Sequence, residues 1–353
     1  MSTPSTVPAW LSSRLLQAIQ ASLATGNASK GPFAVAVSGG IDSSMLAAHA
    51  AYLAAQSGKD LHIFHVHHGL QAVAHAWQQH VHALAYQLGV PCHSRRIRIA
   101  ADSGKGIEAA AREGRYAALA GMARQCRVGH VLLAHHQDDQ AETVLLRLLR
   151  GAGPAGLAAM APVVHRDGLT YHRPWLNQPR AHIQQQADLF FQHTGWAPVH
   201  DPSNQDDRYT RSALRERLTP ALNERWHGWQ ASLARHADQA RELAELLDEV
   251  AAGLLAQVVD PQDPSQLSLR AWRALSPVKQ VVVFRYWLAG HGLRMPAQAR
   301  LNDALRQLRQ LHALGHDRHM RLKHDHAVIH CHQGRVWIQA EPGDPPGTAM
   351  ETR

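Results

Sequence analysis

Phe33-Ala-Val-Ala-Val-Ser-Gly-Gly-Ile-Asp-Ser-Ser44 is the stretch on which the fold turns. Phe33 to Val37 are all apolar or small, without polar alternation, which is the pattern of a parallel strand covered on both faces. Gly39 and Gly40 let the backbone turn sharply and approach a ligand without side-chain clash. Asp42, Ser43 and Ser44 open a helix expected over about Ser43–Gln56, whose first turn carries free N–H groups and the positive end of the dipole. A strand, a small-residue loop and a helix N-terminus together make a phosphate cradle. The dinucleotide spacing Gly-x-Gly-x-x-Gly is absent, and no lysine follows the glycines to hold a γ-phosphate.

Outward from this cradle, strands and helices alternate. Residues 9–24 carry Leu11, Leu15, Leu16, Ile19 and Leu23 at helical spacing. Further strands are expected at Leu61–Val66, near Ser94–Ile99, at Val128–Ala134 and at Thr170–Pro174, with helices at Val73–Leu88, Ile107–Cys126, after His135 to about Arg150, and at Arg180–Gly195. In the last helix Ile183, Ala187, Phe190 and Phe191 point inward. The fold class that follows is α/β, a doubly wound five-stranded parallel sheet. In such sheets ligands sit beyond the carboxyl ends of the strands, where the strand order reverses. With the order 3-2-1-4-5, the Ser38–Ser44 loop and His135–Thr143 face each other across one crevice, with His67 and His68 on its flank. Three polar clusters, each at the carboxyl end of a strand, argue for an enzyme.

Gly151–Gly156 reads as irregular, His200–Asp207 as a polar turn, and Thr210 to about Gln257 as helical with a break near Trp226–Gly228. Asp260–Gln266, carrying Pro261 and Pro264, reads as a linker. A short strand (Leu267–Leu269), helices at Pro277–Leu288 and Ala297–Leu311 and a small β element (His319–Leu322, Ala327–His330, Val336–Gln339) follow. The expected division is a catalytic domain over 1–215, a helical connector over 216–260, a small α/β domain over 261–340 and a disordered tail over 341–353.

The chain has 353 residues, enough for two or three domains, and 45% apolar content, ordinary for a soluble protein. A formal charge of +8 favours a polyanionic partner such as nucleic acid. Cys92, Cys126 and Cys331 form no Cys-x-x-Cys pair, which argues against a disulfide framework, a zinc ribbon and an iron–sulfur ligand set. No segment reaches the ~18 consecutive apolar residues of a membrane span, and Met1–Pro8 is no signal peptide, so a cytoplasmic protein is expected. Arg294 to Asp325 holds seven Arg/Lys against three Asp, a face suited equally to solvent and to RNA phosphates. Trp272, Trp287 and Trp337 read as core residues.

Ser38-Gly-Gly-Ile-Asp-Ser43 resembles the PP-loop of the N-type ATP pyrophosphatases, which split ATP between the α- and β-phosphates. Together with His65-Val-His-His-Gly-Leu70, Gly106-Ile-Glu-Ala-Ala-Ala-Arg-Glu-Gly-Arg-Tyr116, His135-His-Gln-Asp-Asp-Gln-Ala-Glu-Thr143, Leu149-Arg-Gly-Ala-Gly153, Arg173-Pro174 and Asp201-Pro-Ser-Asn204 with Arg211 and Arg215, it resembles the tRNA(Ile)-lysidine synthetase family. The resemblance implies ligation of L-lysine to C2 of the wobble cytidine of an isoleucine tRNA with a CAU anticodon. ATP would first adenylate the cytidine O2, and the lysine ε-amine would then expel AMP. It implies ATP binding by Ser38, Gly39, Gly40, Ile41, Asp42, Ser43 and His67. Magnesium, which needs oxygen ligands, would be held by Asp42, Asp138 and Asp139.

The attacking amine must be neutral, so a carboxylate base or a site that depresses its pKa is required. Asp139 and Glu142, one helical turn apart, are assigned that work, with Arg112 on phosphate. Glu108, Arg115, Arg208, Arg211 and Arg215 are assigned to the substrate and the tRNA. The expected partners are tRNA(Ile), L-lysine and ATP, with no membrane and with a homodimer left open. The family pattern places Asn after Arg211, where Ser212 stands here, and the additional C-terminal domain of longer members is not seen. A PP-loop tRNA thiolase is the rival enzyme, and it needs a reactive cysteine near the site. A non-catalytic RNA-binding module would leave the carboxylates idle. A zinc hydrolase built on His67-His68 and His135-His136 would leave the Gly-Gly-x-Asp-Ser loop without a task.

Overall fold

In the computed structural model, which describes residues 8–24, 31–67, 74–97, 107–199, 210–311 and 319–340 apart from the side chains of 74, 107 and 108, the leading strand forms as β1 (Phe33–Ala36) in the middle of a sheet. The chain divides into two units, Met1–Ala240 and Arg241–Arg353. The first runs α1 (Ser13–Ala24), β1, α2 (Ile41–Ser57), β2 (Leu61–His67), α3 (Ala74–Leu88), β3 (Cys92–Arg96), α4 (Ile107–Cys126), β4 (His130–Leu132), α5 (Gln137–Leu149), α6 (Pro154–Leu157), β5 (Val163–Arg166), β6 (Leu169–His172), α7 (Arg180–Thr194), α8 (Thr210–Ala213), a π-helical turn at Leu214–Leu218 and α9 (Thr219–Arg225). Then α10 (Trp229–Ala256) spans the division.

The sheet order is β3-β2-β1-β4-β6-β5. Five strands are parallel in the expected order, and β5 adds an antiparallel edge strand to β6 that the sequence reading did not include. β5 and β6 are joined at Asp167-Gly168, both at positive φ (54° and 75°), the primed turn that suits a two-residue hairpin. Side chains on β1 alternate between two cores. Phe33, Val35 and Val37 pack with buried residues of α1, α2, α3 and α7, while Ala34 faces Tyr116, Leu119 and Ala123 of α4. Helices thus cover both faces, which is why β1 shows no polar alternation.

Three local expectations change. Gly151–Gly156 is not wholly irregular: Pro154 at the first turn, where its missing N–H costs nothing, starts the short α6. Phe191 is 48% exposed, because only Ile183, Ala187 and Phe190 lie on the buried stripe of α7. His68, Arg208, the His200–Asp207 turn and the 341–353 tail lie outside the described residues, as does the side chain of Glu108.

The second unit contains β7 (Val259–Asp260), β8 (Asp263–Ser268), α11 (Leu269–Ala274), α12 (Pro277–Gly290), α13 (Gln298–Gln310), β9 (Met320–His324), β10 (Ala327–His332) and β11 (Arg335–Ala340), with sheet order β7-β8-β11-β10-β9. Asp260–Gln266 is therefore a hairpin rather than a linker. Pro261 stands in its turn, and the Asp260 side chain accepts the Gln262 N–H at 2.9 Å. Leu254 and Val258 already belong to this unit's core, so it begins before the expected boundary at 260, and the chain divides at 240 rather than 215. Trp272 and Trp287 are core, as read. Trp337 is only half-buried and stacks on His330 (5.1 Å, 10°) and His319 (5.8 Å, 23°), because it alternates with the inward Val336 on β11.

One buried histidine ties α1 to α2. His49 is fully buried, accepts the Ser12 N–H at Nε2 (3.1 Å) and bonds the Met45 carbonyl through Nδ1 (2.8 Å), so its neutral form is satisfied on both sides. Burial pushes it down to about 4. The unfolded chain therefore binds the extra proton between its own pKa and that value. Stability from this group is present above about pH 6.5 and is lost as pH falls toward 4. The urea midpoint of the protein should drop across that interval by the equivalent of about 3 kcal/mol from this side chain, and a His49→Gln variant should show a shallower acid limb.

Candidate active site

The cradle is shaped by backbone conformation and by the hydroxyls of Ser38 and Ser43. Gly39 adopts φ +97°, its carbonyl accepts the Val199 N–H at 3.0 Å, and an added Cβ would meet Val199 Cγ2 at 3.1 Å and Val81 Cγ2 at 3.4 Å. Both conformation and space require glycine there. The Ser38 N–H donates to Ser43 Oγ (3.1 Å), the two hydroxyls lie 3.1 Å apart, and Ser43 Oγ donates to the Gly40 carbonyl (3.2 Å). Gly40 is the N-cap of α2 and offers no side-chain cap, which leaves the first-turn N–H groups facing the loop. Asp42 lies in that first turn.

Pairing of β1 with β4 brings α5 to the same end of the sheet. α5 is opened by His136 in a capping box. Its Nδ1 accepts the Asp139 N–H (3.3 Å), and Asp139 Oδ2 accepts the His136 N–H (3.2 Å). Histidine here takes the place usually held by Ser or Thr. Three carboxylates converge on its buried ring, with Asp42 Oδ2 at 3.7 Å, Asp138 Oδ2 at 3.9 Å and Asp139 Oδ2 at 3.3 Å. Burial opposes its charge, but Asp42, Asp139 and Asp138 outweigh burial and hold His136 above its ordinary range. Asp42 shows the converse. Burial raises it, and His136 with Arg180 brings it below the usual carboxylate value. The neighbouring His135 goes the other way. Burial, reinforced by Arg173, Arg115 and Arg112 against the pull of Asp139, pushes it down to about 3. Adjacent histidines are thus pushed in opposite directions by their surroundings.

Glu142, one turn beyond Asp139, is 5% exposed. Arg215 grips it with both forks, Nε to Oε1 at 2.6 Å and Nη2 to Oε2 at 2.9 Å, and reaches Asp139 Oδ1 at 3.2 Å. Arg211 adds Nε to Glu142 Oε2 at 3.2 Å and donates to Thr143 Oγ1 at 2.8 Å, while Thr143 donates to the Asp139 carbonyl at 2.7 Å. Removing one partner of a buried ion pair costs about 3–5 kcal/mol, and less here because the Arg215 side chain is 36% exposed. A second cationic group lies on the other flank. Arg112 donates to the Tyr116 hydroxyl at 3.3 Å, and the guanidiniums of Arg112, Arg115 and Arg166 lie 5.2, 5.8 and 4.6 Å from its ring centre. Arg173 is buried, donates to the Ala161 carbonyl at 2.6 Å and keeps Nε without a partner. Burial lowers Arg115 and Arg173, and Arg112 lowers both further, which marks a pocket that an anion would relieve.

A PP-loop domain matches over residues 11–222 and a TilS substrate binding domain over 267–337. A tRNA(Ile)-lysidine synthase from Bordetella bronchiseptica is 54% identical over 306 residues, covering 86% of this chain and 88% of that protein. The chain belongs to the tRNA(Ile)-lysidine synthase family. The synthase of Ralstonia nicotianae is 41% identical over 89% of this chain and 66% of its own length. Among solved structures, the U34-tRNA thiolase NcsA from Methanococcus maripaludis superposes with a TM-score of 0.53 at 15% identity, over 65% of this chain and 78% of that one, a likeness of fold.

Among the residues singled out from sequence, Asp42, Asp138, Asp139, Glu142, Arg211 and Arg215 are brought together by direct contacts. His67 ends β2, its ring 5.0 Å from that of His75. Arg211 and Arg215, assigned from sequence to substrate and tRNA, face α5: Arg215 engages Asp139 and Glu142, and Arg211 engages Glu142 and Thr143. Two contributors escaped the sequence reading. Arg180 starts α7, donates its N–H to Asp138 Oδ2 (3.0 Å) and holds Nε 3.6 Å from Asp42 Oδ1. His136 was read as part of the family block and of a zinc-hydrolase alternative, and its capping of α5 went unread. Gly39→Ala should weaken nucleotide binding at least about 10-fold by calorimetry, with the circular-dichroism spectrum retained.

Proposed function

We propose that this chain joins L-lysine to C2 of cytidine 34 in tRNA(Ile) with a CAU anticodon, through an adenylated cytidine, with release of pyrophosphate and AMP. The observation that carries this reading is the meeting of the PP-loop, through Asp42, with the His136–Asp139–Glu142 segment at one end of the sheet, in a chain of this family. The loop residues Ser38 to Ser43, with His67 on the flank, would seat the triphosphate. Uncapped N–H groups of α2 would meet the charge that builds on the phosphoryl oxygens as the cytidine O2 attacks the α-phosphate. Arg112, Arg115 and Arg173, mutually repelling and partly desolvated, suit the leaving pyrophosphate or a tRNA phosphate.

The donor set fits magnesium in part. Asp42 Oδ1 is buried without a hydrogen-bond partner, whereas Asp138 Oδ2 already accepts Arg180 N–H and both Asp139 oxygens are engaged. Asp42 would therefore lead the metal set, with Asp138 and Asp139 joining it, and the ion would neutralise phosphate charge. In the second step the lysine ammonium must lose a proton before its nitrogen attacks C2 and AMP departs. Glu142 and Asp139 are the acceptors at hand. Arg215 keeps their oxygens aimed while no amine is present, as a positioning residue. Glu108, Arg208, the basic Arg294–Asp325 region and the second unit would contact the tRNA. Such a reaction belongs in the cytoplasm, and no described helix is long and apolar enough to cross a membrane.

The thiolase rival needs a reactive thiol beside the nucleotide. Cys92 begins β3 and Cys126 ends α4, both at the amino ends of the strands, opposite the cradle, and burial pushes the Cys92 thiol up to about 11.

Purified protein, a CAU tRNA(Ile) transcript, ATP and labelled lysine should give tRNA-bound label with one AMP and one pyrophosphate per lysine. Binding of tRNA without turnover would refute the ligase reading. Asp42→Ala should suppress pyrophosphate release at least about 100-fold. Glu142→Gln should lower kcat about 100-fold or more with KM for ATP little changed. Arg215→Lys should keep part of the rate that Arg215→Met loses, since a lysine preserves charge but not the fork.

A further inference from the structure

At the amino ends of β2 and β3, opposite the end that carries the cradle, three soft or borderline donors converge from three elements. His62 is the second residue of β2, His93 the second of β3, and Cys126 the last of α4. His62 Nδ1 and His93 Nε2 are 3.1 Å apart, Cys126 Sγ and His93 Nε2 are 3.5 Å apart, and one donor atom from each residue lies within 4.8 Å of the other two. All three residues are half-buried. Tetrahedral zinc, with nitrogen at about 2.0–2.1 Å and sulfur at about 2.3 Å, spaces neighbouring donors by about 3.3–3.6 Å, close to the two separations from His93. His93 Nε2 offers one proton or one lone pair, yet it faces both partners, and a cation between the three would satisfy all of them.

The rings are held in place without the ion. Phe64 stacks with His62 (6.4 Å, 28°) and meets His93 edge-on (5.8 Å, 76°). The Asp60 carboxylate adds negative charge near His62. Two imidazoles and a thiolate suit zinc or cobalt over magnesium or calcium, which take oxygen donors. The half-exposure of the cluster leaves a fourth position for water.

We propose that His62, His93 and Cys126 form a zinc-class metal site that clamps the end of α4 to the starts of β2 and β3, apart from the nucleotide cradle. It is independent of the ligase reading, since none of its residues touches the site at the carboxyl ends of the strands.

The test uses the full-length protein after chelator treatment, titrated with cobalt chloride and then zinc chloride. One equivalent of cobalt should bind with a thiolate-to-cobalt charge-transfer absorption, and zinc should abolish that absorption by displacement. Cys126→Ser should remove the charge-transfer band, and His93→Ala should weaken cobalt binding at least 10-fold. Zinc should raise the wild-type Tm by several degrees and leave that of Cys126→Ser unmoved. Pyrophosphate release by Cys126→Ser at the wild-type rate would certify its fold, since Cys126 has no place in that chemistry. Absence of the band from wild type, or its survival in Cys126→Ser, overturns the proposal.

Discussion

The register of β1 on β4, with Phe33 opposite His130 and Val35 opposite Leu132, is the constraint from which the site follows. Side-chain direction in a strand has period two, so a slip of one residue would turn Phe33 and Val35 out of one core and Ala34 out of the other. Burial of Phe33, Ala34 and Val35, each at most 1% exposed, forbids that slip. Once the register is set, the loop after β1 and the segment after β4 must leave the sheet side by side. Asp42 then meets His136 because of packing done some residues away by apolar groups that never touch a ligand.

Within the crevice, charge is arranged in alternation. The Arg180 guanidinium and the His136 ring flank Asp42, and His136 is in turn surrounded by Asp138 and Asp139. Arg215 and Arg211 then close over Glu142. Each charge has an opposite neighbour, which lets so many ionised groups sit in a partly desolvated place. The arginines around Tyr116 are the exception. They press on one another, and the neutral His135 records that pressure. Such a site is balanced on its acidic flank and biased toward anions on the other.

Much of this was legible in the chain. Phe33–Val37 gave away a doubly covered strand, Gly39-Gly40 a sharp turn, and Asp138, Asp139 and Glu142 a carboxylate face on α5. These are signals of local period and backbone permissiveness, which a one-dimensional string preserves. Asp167-Gly168 was an equally plain hairpin signal and went unread, so the antiparallel β5 was missed. Pro261 and Pro264 suggested a linker because proline punctuates turns and linkers alike, and only pairing of Val259 with Leu267 distinguishes them. The engagement of Arg211 and Arg215 with α5 was beyond reach. Their partners lie about seventy residues earlier, and nothing in the spacing of a basic residue says whether a carboxylate or a phosphate will meet it.

The widened turn at Leu214–Leu218 sits directly before Pro220, whose ring would collide with the carbonyl of Glu216 in an unbroken α-helix. The chain relieves that collision by underwinding, and Arg215 rides on the underwound segment. The angle at which its fork reaches Glu142 is therefore coupled to helical pitch as well as to side-chain rotamer.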